Sequence, residues 1–280
     1  MGLKFELEFV TDYHCIVNTS MIRSGNIGAI VLRNFVCIVD TTTYTVTAKN
    51  FRDKVEEKFG LPIKYLVYTH YHGDHIFGSP AFRDLSIIGS KETLHNLTDP
   101  NTLKSLEEWR NNLIIEDPLA KGIEITPPTT TFEYKKLLYD EDLKIEIYHA
   151  GGHTSGSTYV YFPVEKVIFT GDLVFEDIYP YAGDPTCNPD KWLTQLQQIQ
   201  KMDIEKIVPG HGHVLLSKQD LDKHISFYKS LKEIVCEVIQ DNLPMKAIKP
   251  PDFFKLEAEI WKPIAVEYWY NFYKKKYDID

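Results

Sequence analysis

The sequence predicts an α/β fold, and three observations predict it. Apolar, β-branched runs alternate with stretches of helical periodicity along most of the chain, which favours one α/β domain over two independent ones. One stretch, from "NFVCIVD" through "TVTAKNFRDKVEEKFG" to "IKYLVYT", has the order of a βαβ unit. Several strands also run straight into turns bearing histidine or aspartate, and in open α/β sheets ligands gather beyond the carboxyl ends of the strands.

Taken in order, "LKFELEFV" alternates as a half-buried strand, while "NIGAIVLR" and "NFVCIVD" are mostly apolar strands hinged at Arg33-Asn34. Val46, Phe51, Val55 and Phe59 recur at roughly helical spacing up to Gly60, a C-terminal stop. "IKYLVYT" is the next strand. From "SKETLHNL" to "LEEWRNNLIIED" the pattern is helical and ends near Pro118, a helical insert of about 91–128. "TPPTTTFEY" reads as a Pro/Thr linker; "LKIEIYHA", "STYVYFP" and "KVIFTGD" read as three strands. "PDKWLTQLQQIQKM" is a helix with Pro189 near its start, and "EKIVPGHGH" is a short strand and turn. Two long helical segments close the chain. In the second, Ile260, Trp261, Ile264, Tyr268, Trp269 and Phe272 form a stripe suited to a core or homodimer face. Residues 1–230 are expected to form the main domain, with 231–280 a C-terminal helical extension packed on it.

Composition narrows the function. The 280 residues are 43% hydrophobic and 25% charged, with a net charge of −9 and no Lys/Arg run, so a protein living on phosphate-backbone contacts is disfavoured. A nuclease with a small local basic patch stays open. "MGLKFELEFVTDYHC" has acidic residues where a signal peptide needs an apolar core, and "IGAIVLRNFVCIVD" is broken by Arg33 and too short to cross a bilayer. A cytoplasmic protein without membrane association is the expectation. Cys15, Cys37, Cys187 and Cys236 are scattered and read as buried or half-buried thiols.

Chemistry concentrates in four turns, each directly after a strand-like run. They are "THYHGDH" with His70, His72, Asp74 and His75, "YHAGGHTSGS" with His153, "VIFTGDLVF" with Asp172, and "KIVPGHGH" with His211. Taken singly, each histidine is an ordinary surface or core residue. Together they are imidazole and carboxylate donors without a cysteine, the set that suits Zn²⁺, with Mn²⁺ or Fe as other occupants. On an extended segment His70 and His72 project to one side and share an ion, while Asp74 and His75, past the turn, face a second. His153 and His211 complete the two sites, with Asp172 between them. Two ions a few ångströms apart deprotonate water near neutral pH and polarise the bond it attacks.

From about Asp40 to His211 the sequence resembles the metallo-β-lactamase superfamily, through the Asp of "CIVDTT", "THYHGDH", "GGHTSGS", "TGD" and "PGHG". The resemblance implies a four-layer αββα sandwich with a dinuclear site at one edge. It implies that His70, His72 and His153 bind one metal, that Asp74, His75 and His211 bind the other, and that Asp172 bridges them. Asp40 would accept a hydrogen bond from a ligand or its neighbour.

In the antibiotic-hydrolysing classes the position of Asp172 is usually Cys or Ser. The chain therefore looks more like the family's thioesterases of the glyoxalase II type, lactonases, phosphodiesterases and nucleases. Its short Asp172-to-His211 interval leaves no room for the inserted domain of one nuclease branch. The implied reaction is hydrolysis of an ester, thioester, lactone, amide or phosphoester by a metal-bridging hydroxide, with Asp74 orienting it, on a small-molecule substrate. Weak β-lactamase or nuclease activity on the same site, a non-catalytic metal-binding or sensing protein, and a di-iron redox protein are the alternatives; the last normally carries Glu where His72 stands. Tyr179 and Tyr181, in the loop after Asp172, are candidates for polarising a carbonyl or protonating a leaving group, with packing as the other reading. His213 reads as a neighbour of the site or as exposed, and His14, His95, His149 and His224 as structural or surface residues.

Overall fold

The computed structural model describes residues 7–11, 14–17, 24–176, 178–214, 217–251 and 261–277. Their strands form two sheets. The first runs in the order β1 (Glu8–Thr11), β2 (His14–Val17), β3 (Ile27–Val31), β4 (Val36–Val39), β5 (Ile63–Val67), β6 (Ser86–Ser90) and β7 (Thr130–Phe132). The second runs β12 (Lys206–His211), β11 (Val167–Phe175), β10 (Thr158–Phe162), β9 (Leu143–His149) and β8 (Lys135–Asp140). Strands β4 to β7 are mutually parallel, as are β11 and β12, and the other pairs are antiparallel.

Side-chain alternation explains the layers. Ile30, Cys37, Val39 and Val67 meet Ile147, Val160, Phe169 and Val208 between the sheets. Their neighbours Ala29, Ile38 and Leu66 point the other way, onto Ala48, Phe51 and Val55 of α1 (Thr45–Phe59). On the far side Ile168 and Ile207 pack under Trp192 of α5 (Pro189–Gln200), Leu231 of α6 (Lys218–Gln240) and Trp269 of α7 (Lys262–Lys276). The result is the αββα sandwich. Strands covered on both faces carry unbroken apolar runs, which is why β3, β4, β10 and β11 are wholly buried.

Several local expectations are met for legible reasons. α1 ends at Gly60, whose φ of +63° is the left-handed conformation of a helix C-terminus. α5 starts with Asn188 capping Lys191 N and Pro189 in the first turn. The helical insert is two helices, α3 (Lys91–Thr98) and α4 (Pro100–Glu116). Asp99 ends the first and caps the second, accepting from Asn101 N and Thr102 N. Cys37 and Cys187 are buried and Cys236 half-buried, all as free thiols, while the Cys15 side chain lies outside the described residues.

Other expectations are corrected. The Pro/Thr linker contains β7, which adds in parallel to β6, itself a short strand without alternation. β8 pairs with β9 as a hairpin joined at Glu141, in the left-handed region with φ +56°. In α7 the buried stripe is Ala265, Trp269 and Tyr273, with Ile264 exposed; Ile260 lies outside the described residues. Among the described residues no helix is long and apolar enough to cross a membrane.

Candidate metal centre and its cleft

Both sheets end at the same edge. β5 leads through Thr69 into His70 and His72, and the single turn α2 (Gly73–Ile76) carries Asp74 and His75. His153 sits between β9 and β10 after Gly151 and Gly152, with φ of +68° and +107°. Asp172 lies inside β11, just past Gly171, where the register with β12 slips, and His211 ends β12. Asn26, before β3, clamps the two sheets here: its backbone N–H donates to Gly210 O at 2.7 Å and its amide to Pro209 O at 3.0 Å.

These turns bring all seven predicted ligands together. Two groups have donor atoms close enough to hold a cation: His70, His72, His153 and Asp172, and Asp74, His75 and His211. Asp172 stands between them. Its Oδ2 is 3.8 Å from His70 Nε2, 3.5 Å from His153 Nε2 and 3.5 Å from His211 Nε2, and its Oδ1 is 3.0 Å from His75 Nε2. Asp74 Oδ2 is 3.1 Å from His211 Nε2 and 3.7 Å from His75 Nε2. Buried polar atoms ordinarily find hydrogen bonds. Here His70 Nε2 is buried without a hydrogen bond, and His75 Nε2 and His211 Nε2 face only the carboxylate oxygens of Asp172 and Asp74, so buried donor atoms converge as cation ligands do.

The electrostatics agree. Burial lowers the His153 imidazole to about 4 and the His70 imidazole well below its ordinary range, so both are neutral donors. Burial also opposes protonation of His211, yet Asp172 and Asp74 outweigh it and hold that imidazole at about 9. The two carboxylates thus retain positive charge beside them.

Around this cluster a ring of acceptors fixes the imidazoles. Asp40, directly after β4, accepts from His75 Nδ1 at 2.8 Å, from Thr69 N at 2.7 Å and from Thr69 Oγ1 at 2.7 Å. His75 is left with Nε2 toward the cluster. The role implied for Asp40 is therefore the one its contacts show, and its φ of +59° is a conformation Asp tolerates. Asp184 does the same for the other group and is not legible in the sequence. It accepts from His72 Nε2 at 2.8 Å, from Thr186 N at 2.7 Å and from the Tyr71 hydroxyl, so His72 presents Nδ1, 3.1 Å from His153 Nε2. Burial opposes ionisation of Asp184, but these donors hold it well below the usual carboxylate range.

A cleft of about 970 Å³ opens over the cluster. Its floor includes His72, Asp74, Asp172 and His211, one wall is α4 with Leu106, Trp109 and Leu113, and the other carries Tyr181, Pro185 and Trp261. The two loop tyrosines part ways. Tyr181 lines the cleft, its ring 5.9 Å from that of His72, whereas Tyr179 is buried and packs edge-on against Phe227. Trp261, assigned in the sequence to a core or dimer stripe, stands over the site with its ring 5.8 Å from His211 and 5.7 Å from Tyr181. His95, read as structural or surface, is exposed at the cleft; His213 is exposed outside it. His149 bonds Ser155 O, and His224 is buried between Asp220 O and Phe175 O.

Comparison with known proteins gives the family and the fold. The profile of the Metallo-beta-lactamase superfamily matches residues 21–211. A hydroxyacylglutathione hydrolase of Pelagibacter ubique is 22% identical over 76% of this chain and 77% of its own. A type 2 metallo-beta-lactamase of Elizabethkingia meningoseptica is 24% identical over 75% of this chain and 76% of its own. Among solved structures, a metallo-beta-lactamase from Pontibacter korlensis superposes with a TM-score of 0.65 at 18% identity, covering 81% of this chain and 99% of that one. A stereoselective inverting sec-alkylsulfatase from Pseudomonas sp. gives 0.76 at 16% identity, covering 99% of this chain but 51% of that one. These structural likenesses establish the fold. The profile runs from ahead of β3 to His211 and takes in every residue of both cation-binding groups, and on that evidence the chain belongs to the metallo-beta-lactamase superfamily.

Proposed function

We propose that the protein is a dinuclear metal-dependent hydrolase acting on a small molecule, with zinc as the metal and manganese or iron as alternatives. The observation that carries this reading is the convergence of buried imidazole nitrogens and carboxylate oxygens at the floor of an open cleft. His70, His72 and His153 would hold one ion and Asp74, His75 and His211 the other, with Asp172 shared. Divalent ions bound there supply Lewis acidity and bring the pKa of water down to near neutrality.

The chain's own groups do the rest. Asp74 belongs to the ligand set and also lines the cleft, so its carboxylate is placed to orient an attacking water and take its proton. Burial, then the carboxylates of Asp184 and Asp74, push the Tyr181 hydroxyl up to about 12. It therefore keeps its proton at neutral pH and donates a hydrogen bond to a carbonyl or leaving-group oxygen. Trp109, Leu106 and Trp261 wall the cleft, whose volume suits a small-molecule ligand. The unpaired thiols of Cys37, Cys187 and Cys236 support the cytoplasm as its compartment.

The test is metal analysis with a hydrolytic screen over thioesters, lactones, carboxylic esters, phosphodiesters and β-lactams. We expect close to two equivalents of metal and turnover of at least one ester-like class, abolished in His72→Ala plus Asp172→Ala. Less than one equivalent after zinc loading, or an unchanged rate in the double variant, overturns the reading. Full metallation with uniform inactivity selects the binding-protein alternative, and reductant-driven oxygen consumption the di-iron one.

A further inference from the structure

The segment 181–188, between β11 and α5, carries both Tyr181 and Asp184 and has no helix or strand of its own, so its place depends on what anchors it. Around Asp184 it forms a tight turn. Cys187 N donates to Asp184 O at 3.0 Å, and Thr186 donates to Asp184 Oδ1 through both its backbone N–H and its hydroxyl. One side of this turn is tied to the segment that bears His153: Ser155 N donates to Thr186 Oγ1 at 2.8 Å, and Asn188 N to Gly152 O at 2.8 Å.

The other side is held by α7, which follows the segment residue by residue. Trp261 meets Tyr181, and Ile264 lies so close to Gly183 that a Cβ there would stand 2.6 Å from Ile264 Cγ2. The Tyr268 hydroxyl donates to Cys187 O at 2.8 Å and reaches Pro185 O at 3.4 Å, and the Tyr273 hydroxyl bonds Asp190. Burial pushes the Tyr268 hydroxyl up, so it stays a donor at neutral pH. Tyr268 thus grips the two carbonyls that flank Thr186, the residue whose own donors hold Asp184. In the sequence it reads only as part of a packing or dimer stripe. We infer that Tyr268, which belongs to neither cation group and is not among the residues lining the cleft, is a positioning residue for the metal centre: it pins the turn that keeps Asp184 against His72, and so tightens the ion held by His70, His72 and His153. This step rests on the dinuclear reading proposed above.

The test is Tyr268→Phe, which keeps the ring and removes the donor, in the full-length protein. Zinc affinity is read by competition with a chromophoric chelator, resolved into two equivalents. The equivalent that Asp184→Asn weakens should weaken here too, by roughly threefold to tenfold, the worth of one neutral hydrogen bond. The other equivalent keeps its affinity. A double-mutant cycle then separates positioning from packing. In an Asp184→Asn background Tyr268→Phe should change zinc affinity by less than about twofold, whereas in an Asp40→Asn background its full effect should persist. Urea unfolding of the metal-free proteins is measured alongside. A purely structural role lowers that stability and leaves the two affinities unmoved or moved together, and either result overturns the inference. So does a Tyr268→Phe effect that survives in full beside Asp184→Asn. Wild-type protein holding less than one equivalent after zinc loading fails the dinuclear reading and this inference with it; two equivalents indifferent to Tyr268→Phe fail the inference alone.

Discussion

Asp184→Asn is a sharp test of how the site is held together. Its carboxylate is the acceptor for His72 Nε2 at 2.8 Å, and also for Thr186 N and the Tyr71 hydroxyl. While it is ionised, the His72 proton stays on Nε2 and the lone pair of Nδ1 faces the cluster. An asparagine of the same shape can keep Thr186 as donor, but its amide NH₂ then faces His72 and Tyr71. That favours the tautomer with the proton on Nδ1, which cannot bind a cation. Hydrogen bonds to charged groups contribute about 1.5–3 kcal/mol, and partners of metal-bound histidines are worth roughly 10- to 100-fold in affinity. Competition against a chromophoric chelator, resolved into two equivalents, reads the effect. One equivalent should weaken by 10- to 100-fold while the other, built on His75 and His211, keeps its affinity. Asp40→Asn is the mirror case, because Asp40 holds His75 and not His72, so the opposite equivalent should weaken. Two equivalents that both retain wild-type affinity in Asp184→Asn, or that fall together by the same factor, refute the assignment of Asp184 to one group.

Two further outcomes follow from the geometry. Gly210→Ala would set a Cβ 1.9 Å from Asp172 Oδ1 and 2.7 Å from the Gly171 carbonyl carbon, so backbone must shift to admit it. We expect a loss of about 1–3 kcal/mol in urea unfolding of the metal-free protein, with metal retention lost as well; normal stability and full metal content would contradict the packing. Asp190 joins three helices, accepting from Lys232 Nζ at 2.7 Å, from the Tyr273 hydroxyl at 2.8 Å and from Lys276. Burial opposes its ionisation, but these donors hold it at about 2, below its ordinary 3.8. A depressed carboxyl stabilises the fold above about pH 4 and loses that contribution as pH falls toward 2. Asp190→Asn should therefore cost about 1–2 kcal/mol at pH 7 and flatten the stability profile between pH 4 and 2; an identical acid limb would contradict this.

The family and the ligand set were legible because their signal is local. His70, His72, Asp74 and His75 lie within six consecutive residues, and the strand before them is apolar where it is buried, at Ile63, Leu66 and Val67. Gly151, Gly152 and Gly171 mark turns in the left-handed region, where few other residues sit without strain. The short strands β6 and β7 were less visible, since a few residues of parallel edge sheet carry no alternation to read.

What the tertiary structure decided is everything that depends on distant partners. Asp184 looks like any loop aspartate until His72, 112 positions earlier, is placed against it. Tyr179 and Tyr181 share one loop and one chemistry, yet one is buried against Phe227 and the other faces the cleft. Trp261 reads as part of a packing stripe until the chain returns it over His211. A ligand type is written in the residue and its immediate neighbours. An orientation, a charge balance or a cleft wall is a sum over elements that meet only on folding.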